Sequence, residues 1–325
     1  MSNSMHVPSQ HLRLLSLDGG GVRGLVSLLI LKRLMYLINP RQPPKPCDVF
    51  DMIAGTSTGG LIAIMLGRLR MDVSSCIEAY TDMSKDVFRI SPWAKILGRT
   101  FFNFIGKATF DHRVLEGKVR GMVRDRLGDT DTALLEEDPA CRMFVCASML
   151  NTDTRRLRNY YSNIEEASNC RIWEAARATS AAPTFFEPIT FKNGCTFRDG
   201  ALRSNNPIFE LIDEVQFAFP DQEVSCIVSI GTGIPDPIAI TNSLPSIARA
   251  SVKIMTDAES VAKLFEKTYC SPNAHYQGKY FRYNPRGIGN VRLDEWKKLD
   301  VMISNTESYL QDIAKTLRIC ATQLG

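Results

Sequence analysis

Ser57 stands in the run Gly55-Thr56-Ser57-Thr58-Gly59, between an apolar stretch, Val49 to Ala54, and a second apolar stretch, Leu61 to Leu66. Glycine, any residue, serine, any residue, glycine between a strand and a helix is the pattern of a nucleophile elbow. Glycines must flank the serine because a Cβ there collides with the neighbouring strand or helix. The hydroxyl then stands exposed at the carboxyl end of the strand. A second run, Asp18-Gly19-Gly20-Gly21-Val22-Arg23-Gly24, also joins an apolar strand to an apolar helix. Consecutive glycines let the backbone approach a ligand and aim several N–H groups at one point, which suits a developing oxyanion. The same run satisfies GxGxxG through Gly19, Gly21 and Gly24, but a dinucleotide site requires an acidic residue at the end of the next strand. The next strand ends in the serine turn instead, so that alternative is set aside. The third group is Asp199, with Gly200, in Arg198-Asp199-Gly200-Ala201, followed by Asn205-Asn206-Pro207. Asp-Gly after a short apolar run is by itself an ordinary turn. It gains weight because a serine nucleophile needs a base. His6, His11, His112 and His275 all lie outside strand-end or glycine-loop contexts. A Ser–Asp dyad is therefore favoured over a triad with histidine.

The elements that must carry these groups are legible in outline. Leu12, Leu14, Leu15 and Leu17 form a first strand, and Leu25 to Ile38 a buried helix ended by Asn39-Pro40. Val49 to Ala54 reads as a second strand, Cys141 to Leu150 as a third and Val224 to Ile230 as a fourth, the last ending in Gly231-Thr232-Gly233. Strands followed by glycine turns and helices point to an α/β fold with a mostly parallel sheet covered on both faces. Residues 1–10 are polar and read as a disordered segment. Residues 11–325 read as a single domain with two decorations. One is the stretch 91–110, where Trp93, Phe101, Phe102, Phe104 and Phe110 alternate with Lys95, Arg99 and Lys107. It fits either a loop that dips into a lipid interface or an insertion covering the core. The other is an amphipathic helix at 294–318, whose apolar positions Trp296, Leu299, Ile303, Thr306, Leu310, Ile313 and Leu317 advance in alternating steps of three and four.

Composition narrows the classes. Of 325 residues, 44% are hydrophobic and 23% charged, and the net charge is +4. That is ordinary for a globular chain and too balanced to argue for a nucleic-acid partner. Nine cysteines without a CxxC pair point to reduced thiols. The scattered histidines give no zinc spacing, and Asp129-Thr130-Asp131 begins like a calcium loop but has Leu134 where that loop needs glycine. No metal and no cofactor is expected. No basic start followed by an apolar segment, and no apolar run of membrane-spanning length, is visible, so a cytoplasmic protein is expected.

In their order along the chain, DGGGVRG, GTSTGG and DGA resemble the motifs of the patatin-like phospholipases. WEAARATSAAPTFFEP (173–188), DGALRSNNP (199–207) and SIGTG (229–233) are similar to further stretches of that family. The resemblance covers roughly residues 12–300. It implies a three-layer α/β/α fold with the dyad at the carboxyl edge of the sheet. It also implies Ser57 as nucleophile, Asp199 as base, and an oxyanion hole from the amides of Gly20 and Gly21 with neighbours Gly19 and Val22. Arg23 is expected to orient that loop through an ion pair, with Gly55, Gly59 and Gly200 shaping the turns. The implied activity is hydrolysis of fatty-acyl esters of phospholipids or glycerolipids. The alternatives are an acyltransferase, a thioesterase, or a defence or signalling module switched on by oligomerisation or an appended domain. The implied partners are the lipid itself and, through 91–110, a membrane surface met transiently, so the protein could be peripheral at membranes.

Overall fold

The computed structural model describes residues 11–89, 108–149, 154–162, 169–234 and 257–325. Residues 1–10 and nearly all of 91–110 lie outside them. The sheet begins with β1 (His11–Leu17), followed by a 3₁₀ turn at Gly21–Arg23 and α1 (Gly24–Ile38). A short helix, α2 (Pro46–Val49), precedes β2 (Met52–Thr56). The second strand thus starts later than its apolar residues suggest, because Pro46 at the first helical position draws Cys47 to Val49 into a turn of helix. Next comes α3 (Thr58–Ala63), which runs on as a π-turn, Ile64–Arg68. There Gly67 lies against Met143 of β3 (Arg142–Met149), and buried Arg68 donates to the carbonyls of Ala133 and Leu134. Between them are α4 (Val73–Val87), capped by Asp72, and α5 (His112–Leu127), capped by Asp111 and closed by Gly128 in the left-handed region. The chain continues through β4 (Thr154–Arg158), α6 (Ile172–Thr179), β5 (Ile189–Thr190), β6 (Thr196–Asp199), α7 (Ala201–Ser204), α8 (Ile208–Ala218), β7 (Glu223–Ile230), α9 (Ala258–Tyr269), β8 (Tyr280–Tyr283), α10 (Leu299–Asp312) and α11 (Ala314–Leu324).

The strand order is β5-β6-β3-β2-β1-β7-β8, with β4 beside β3. The pairs β1–β2, β1–β7, β2–β3 and β7–β8 are parallel, and the pairs made by β4, β5 and β6 are antiparallel. Alternate strand residues feed two separate cores, as the two-residue period requires. Leu15, Leu17, Ile53, Met143, Val145, Val228 and Ile230 pack with the helix layer containing α1, α3 and α4. Leu12, Leu14, Met52, Ala54, Phe144, Cys146 and Ile227 pack on the other side with α8 and with Phe265 of α9.

The edges of β3 decide where the chemistry falls. Cys146 pairs with Thr56 of β2 on one edge and with Arg156 of β4 on the other. The next residue, Ala147, keeps Arg155 of β4 but pairs with Asp199 of β6 on its second edge. So β2 and β6 follow one another along the same edge of β3. The last residue of β6 sits where β2 stops and the Ser57 turn begins.

The C-terminal helix expected at 294–318 is in fact two. A 3₁₀ turn at Trp296–Lys298 leads into α10, and the chain bends at Ile313 before α11 runs on to Leu324. Both halves pack on α1, and α11 also reaches β7. The bend keeps Leu317, Cys320, Ala321 and Leu324 buried, which one straight stripe does not. The Leu324 carbonyl accepts from Arg13 at 3.1 Å. All nine cysteines are free thiols. Phe110, of the aromatic stretch, is buried beside Phe88, Phe185 and Phe186. No helix among the described residues is long and apolar enough to cross a membrane.

Candidate active site

Ser57 links β2 to α3 with φ 54° and ψ −123°, a backbone conformation rare for a residue with a side chain. The elbow is closed by Gly55 and Gly59. A Cβ on Gly55 would lie 2.1 Å from the Gly59 carbonyl oxygen, and one on Gly59 would lie 2.2 Å from that of Leu17. The turn is also held from outside. The Ser57 N–H donates to Thr179 Oγ1 at 2.8 Å, and that hydroxyl donates to the Cys146 carbonyl at 2.7 Å. Thr56 Oγ1 donates to the Ser204 carbonyl at 2.6 Å.

Ser57 Oγ donates to Asp199 Oδ2 at 2.7 Å across 142 residues of sequence. Asp199 is 1% exposed. Its Oδ1 accepts from the Ala201 N–H at 2.8 Å, and its own N–H donates to the Ala181 carbonyl. Burial, opposed only by these hydrogen bonds from Ser57 and Ala201, pushes the carboxyl up to about 7. Gly200, beside it, packs on the Cys146 carbonyl of β3.

The glycine loop lies across from this pair. Of the four residues assigned to an oxyanion hole, two have their N–H groups committed elsewhere. Gly19 donates to the Asn205 carbonyl at 3.1 Å and Val22 to that of Leu293 at 2.8 Å. The N–H groups of Gly20 and Gly21 have no acceptor among the described residues. Gly21 has φ +55°, and a Cβ there would meet the Leu293 carbonyl oxygen at 2.2 Å, so the position accepts glycine alone. Among the described residues Arg23 does not form the expected ion pair. Its guanidinium donates to the carbonyls of Gly20 at 3.3 Å and Gly289 at 2.8 Å, because main-chain oxygens, not carboxylates, converge on it. The ion pair of this loop belongs to its first residue. Asp18, fully buried, accepts from both terminal nitrogens of Arg282, at 3.1 and 2.7 Å. Burial raises the Asp18 carboxyl to about 6 despite that arginine. Arg282 also meets Glu259 at 3.3 Å, and Glu259 accepts from Asn284.

Two hollows meet at Ser57. A narrow one of about 50 Å³ is lined mainly by apolar groups, among them Leu61, Met83, Val87, Phe88, Leu115 and Phe186. A wider cleft of about 450 Å³ is more polar, with Asp199, Asn205, Thr232, Ser260, Lys263 and Asn284 in its wall. No histidine lines either among the described residues, and no cluster of His, Cys, Asp and Glu there could hold a metal ion.

Sequence reasoning thus named the serine, the aspartate and the loop, and the structure brings all of them together. It missed Thr179, Arg282, Thr232 and Asn205. Three of these fall in stretches already singled out, ATSAAP, SIGTG and DGALRSNNP, so the signal was present but tied to no individual atom. Arg282, in a strand of unremarked sequence, left none.

A buried Ser–Asp pair at the carboxyl edge of a three-layer α/β/α sheet, facing a glycine loop, defines a class. The profile for Patatin, described as Patatin-like phospholipase, matches residues 15–212. The chain belongs to the patatin-like phospholipase family. It is 30% identical to human calcium-independent phospholipase A2-gamma over 96% of its own length and 40% of that protein's. It is 27% identical to phospholipase A I of Arabidopsis thaliana, over 94% of this chain and 27% of that one. It is also 27% identical to patatin-like phospholipase 1 of Plasmodium falciparum, over 92% and 47%. The chain therefore spans less than half the length of each of these relatives.

Proposed function

We propose that this chain is a lipid acyl hydrolase that cleaves fatty-acyl esters of phospholipids or glycerolipids without a metal ion. The observation that carries the reading is the 2.7 Å contact of Ser57 Oγ with a buried carboxylate that has no cation beside it among the described residues, opposite two N–H groups with no acceptor there. Ser57 Oγ attacks the ester carbonyl carbon as its proton passes to Asp199 Oδ2. The carbonyl oxygen becomes an oxyanion, received by the N–H groups of Gly20 and Gly21. Collapse expels the alcohol, which takes the proton back from Asp199 and leaves an acyl-serine. Asp199 then deprotonates a water that attacks the acyl carbon, releasing the fatty acid and restoring Ser57. An ordinary carboxyl, near 3.9, is a weak base toward an alcohol; one raised to about 7 by burial is a far better one. The apolar hollow suits the acyl chain and the polar cleft the rest of the lipid.

The substrate class rests on the names of the relatives, and freedom from metal on the human one being called calcium-independent. The same acyl-serine could pass to another acceptor, but no observation favours that over water. In this reading the enzyme works from the aqueous side on a lipid surface, in the cytoplasm, with no nucleic-acid partner. Further domains are proposed as regulators because the relatives are longer. The test is release of fatty acid from mixed phospholipid vesicles in the presence of chelator. Wild type is expected to be active, and Ser57→Ala and Asp199→Asn inactive but folded. Turnover by either variant at the wild-type rate sinks the dyad.

A further inference from the structure

The N–H groups of Gly20 and Gly21 point where they do because something holds the other side of each peptide. A trans peptide is planar, so its carbonyl oxygen and the following N–H point in opposite directions. No peptide bond among the described residues is cis. Fixing the Gly19 oxygen therefore fixes the Gly20 N–H. The group on that oxygen is Thr232 Oγ1, which donates to it at 2.9 Å. Thr232 is buried, and a Cβ on Gly20 would lie 2.1 Å from Thr232 Oγ1, so hydroxyl and loop are in direct contact.

Thr232 is itself rigidly delivered. It follows the end of β7 at Ile230. Gly231 donates to the Tyr283 carbonyl at 2.8 Å, and its own carbonyl accepts from Ser27 at 3.0 Å. Gly233 donates to Asn284 Oδ1 at 2.8 Å. The next peptide, which carries the Gly21 N–H, is held through the Gly20 carbonyl, which accepts from the Arg23 N–H at 3.2 Å and from Arg23 Nε at 3.3 Å. The Gly21 carbonyl accepts from the hydroxyls of Thr58, at 2.9 Å, and Tyr80, at 2.5 Å, while the Val22 N–H on that peptide is held by Leu293. The loop is gripped by its carbonyls, and the N–H groups on its open side stay available.

We infer that Thr232, in the SIGTG stretch, is the positioning residue that aims the Gly20 N–H at the reacting carbonyl oxygen, with Arg23 holding the next peptide of the loop and Thr58 and Tyr80 steadying the one after it. This rests on the hydrolase reading above. Thr232 takes no proton and forms no bond in the reaction; it acts only through the loop.

The test compares Thr232→Val, which keeps the shape and removes the donor, with Thr232→Ser, which keeps the donor. Tyr80→Phe serves as an independent second variant. Steady-state hydrolysis of a soluble fluorogenic fatty-acyl ester is measured from pH 5 to 9. Losing a well-placed oxyanion donor lowers kcat by about 10²–10³, and a donor left in place but free to tilt costs less. Thr232→Val is expected to lower kcat about 10- to 100-fold with KM within about twofold, and Tyr80→Phe about 10-fold. Thr232→Ser restores most of the rate. The pH midpoint of kcat stays near that of wild type, because Asp199 is untouched. Wild-type kcat in Thr232→Val, a loss confined to KM, or failure of serine to restore the rate overturns the inference. If wild type and Ser57→Ala hydrolyse the ester equally, the hydrolase reading itself has failed.

Discussion

Asp18 and Asp199 are both fully buried carboxylates at the carboxyl end of the sheet, the first opening the glycine loop and the second facing it, and both are raised by burial. They differ in what faces them. Asp18 meets the two terminal nitrogens of Arg282. Asp199 meets a hydroxyl and one N–H, with no cation among the described residues. A carboxylate bound to a guanidinium is locked as a structural charge, and its lone pairs are taken. One bound to a serine keeps a high proton affinity and shares its hydrogen bond with the group it must deprotonate. Charge pairing separates a post from a base when burial does not.

The difference can be pressed hardest by removing each carboxylate in turn. Asp199→Asn is expected to cut kcat by more than about 10³, measured as fatty-acid release, while thermal stability holds or rises. Asp18→Asn should act the other way. It leaves Arg282 with only the longer carboxylate contact, to Glu259, and breaking one side of a buried pair costs up to about 3–5 kcal/mol, read from the urea midpoint. pH gives a finer contrast. The folded carboxyl of Asp199, near 7, lies above its unfolded value of 3.8, so folding binds a proton in that window. Its contribution to stability is therefore complete below pH 4 and is lost as pH rises to about 7, by at most about 4 kcal/mol. The rate constant kcat/KM runs oppositely, rising with pH to a plateau above about 7 as the base ionises. The stability slope should flatten in Asp199→Asn, and denaturation at pH 5 and 8 measures it. The smallest effect is expected from Glu259→Gln. It leaves Asp18 on Arg282 and should change kcat less than about threefold, since the Arg282–Glu259 contact is the longer and more exposed one.

Much of this was legible beforehand because it is local. A serine between glycines after an apolar strand specifies its own turn, and consecutive glycines specify a loop that donates N–H groups. The lack of a well-placed histidine favoured an aspartate as base, and the resemblance to the patatin-like phospholipases singled out Asp199. What resisted was non-local. The handover from β2 to β6 along β3 depends on a four-residue strand whose pairing no period reveals. The partner of Arg23 was misjudged because convergence of carbonyls leaves no trace in composition. The C-terminal stripe kept a helical period across Ile313, so the bend, made without proline or glycine, was invisible to it.

The shared edge of β3 has a consequence for how the molecule comes into being. Nucleophile and base are far apart in sequence and adjoin only after both β2 and β6 have docked on the same strand. Until then Ser57 is an ordinary unreactive alcohol. Contacts of such long sequence separation close late and slowly. A phosphonate probe that labels only activated serines would therefore report completion of the sheet, turning the reactivity of one hydroxyl into a clock for the assembly of the whole fold.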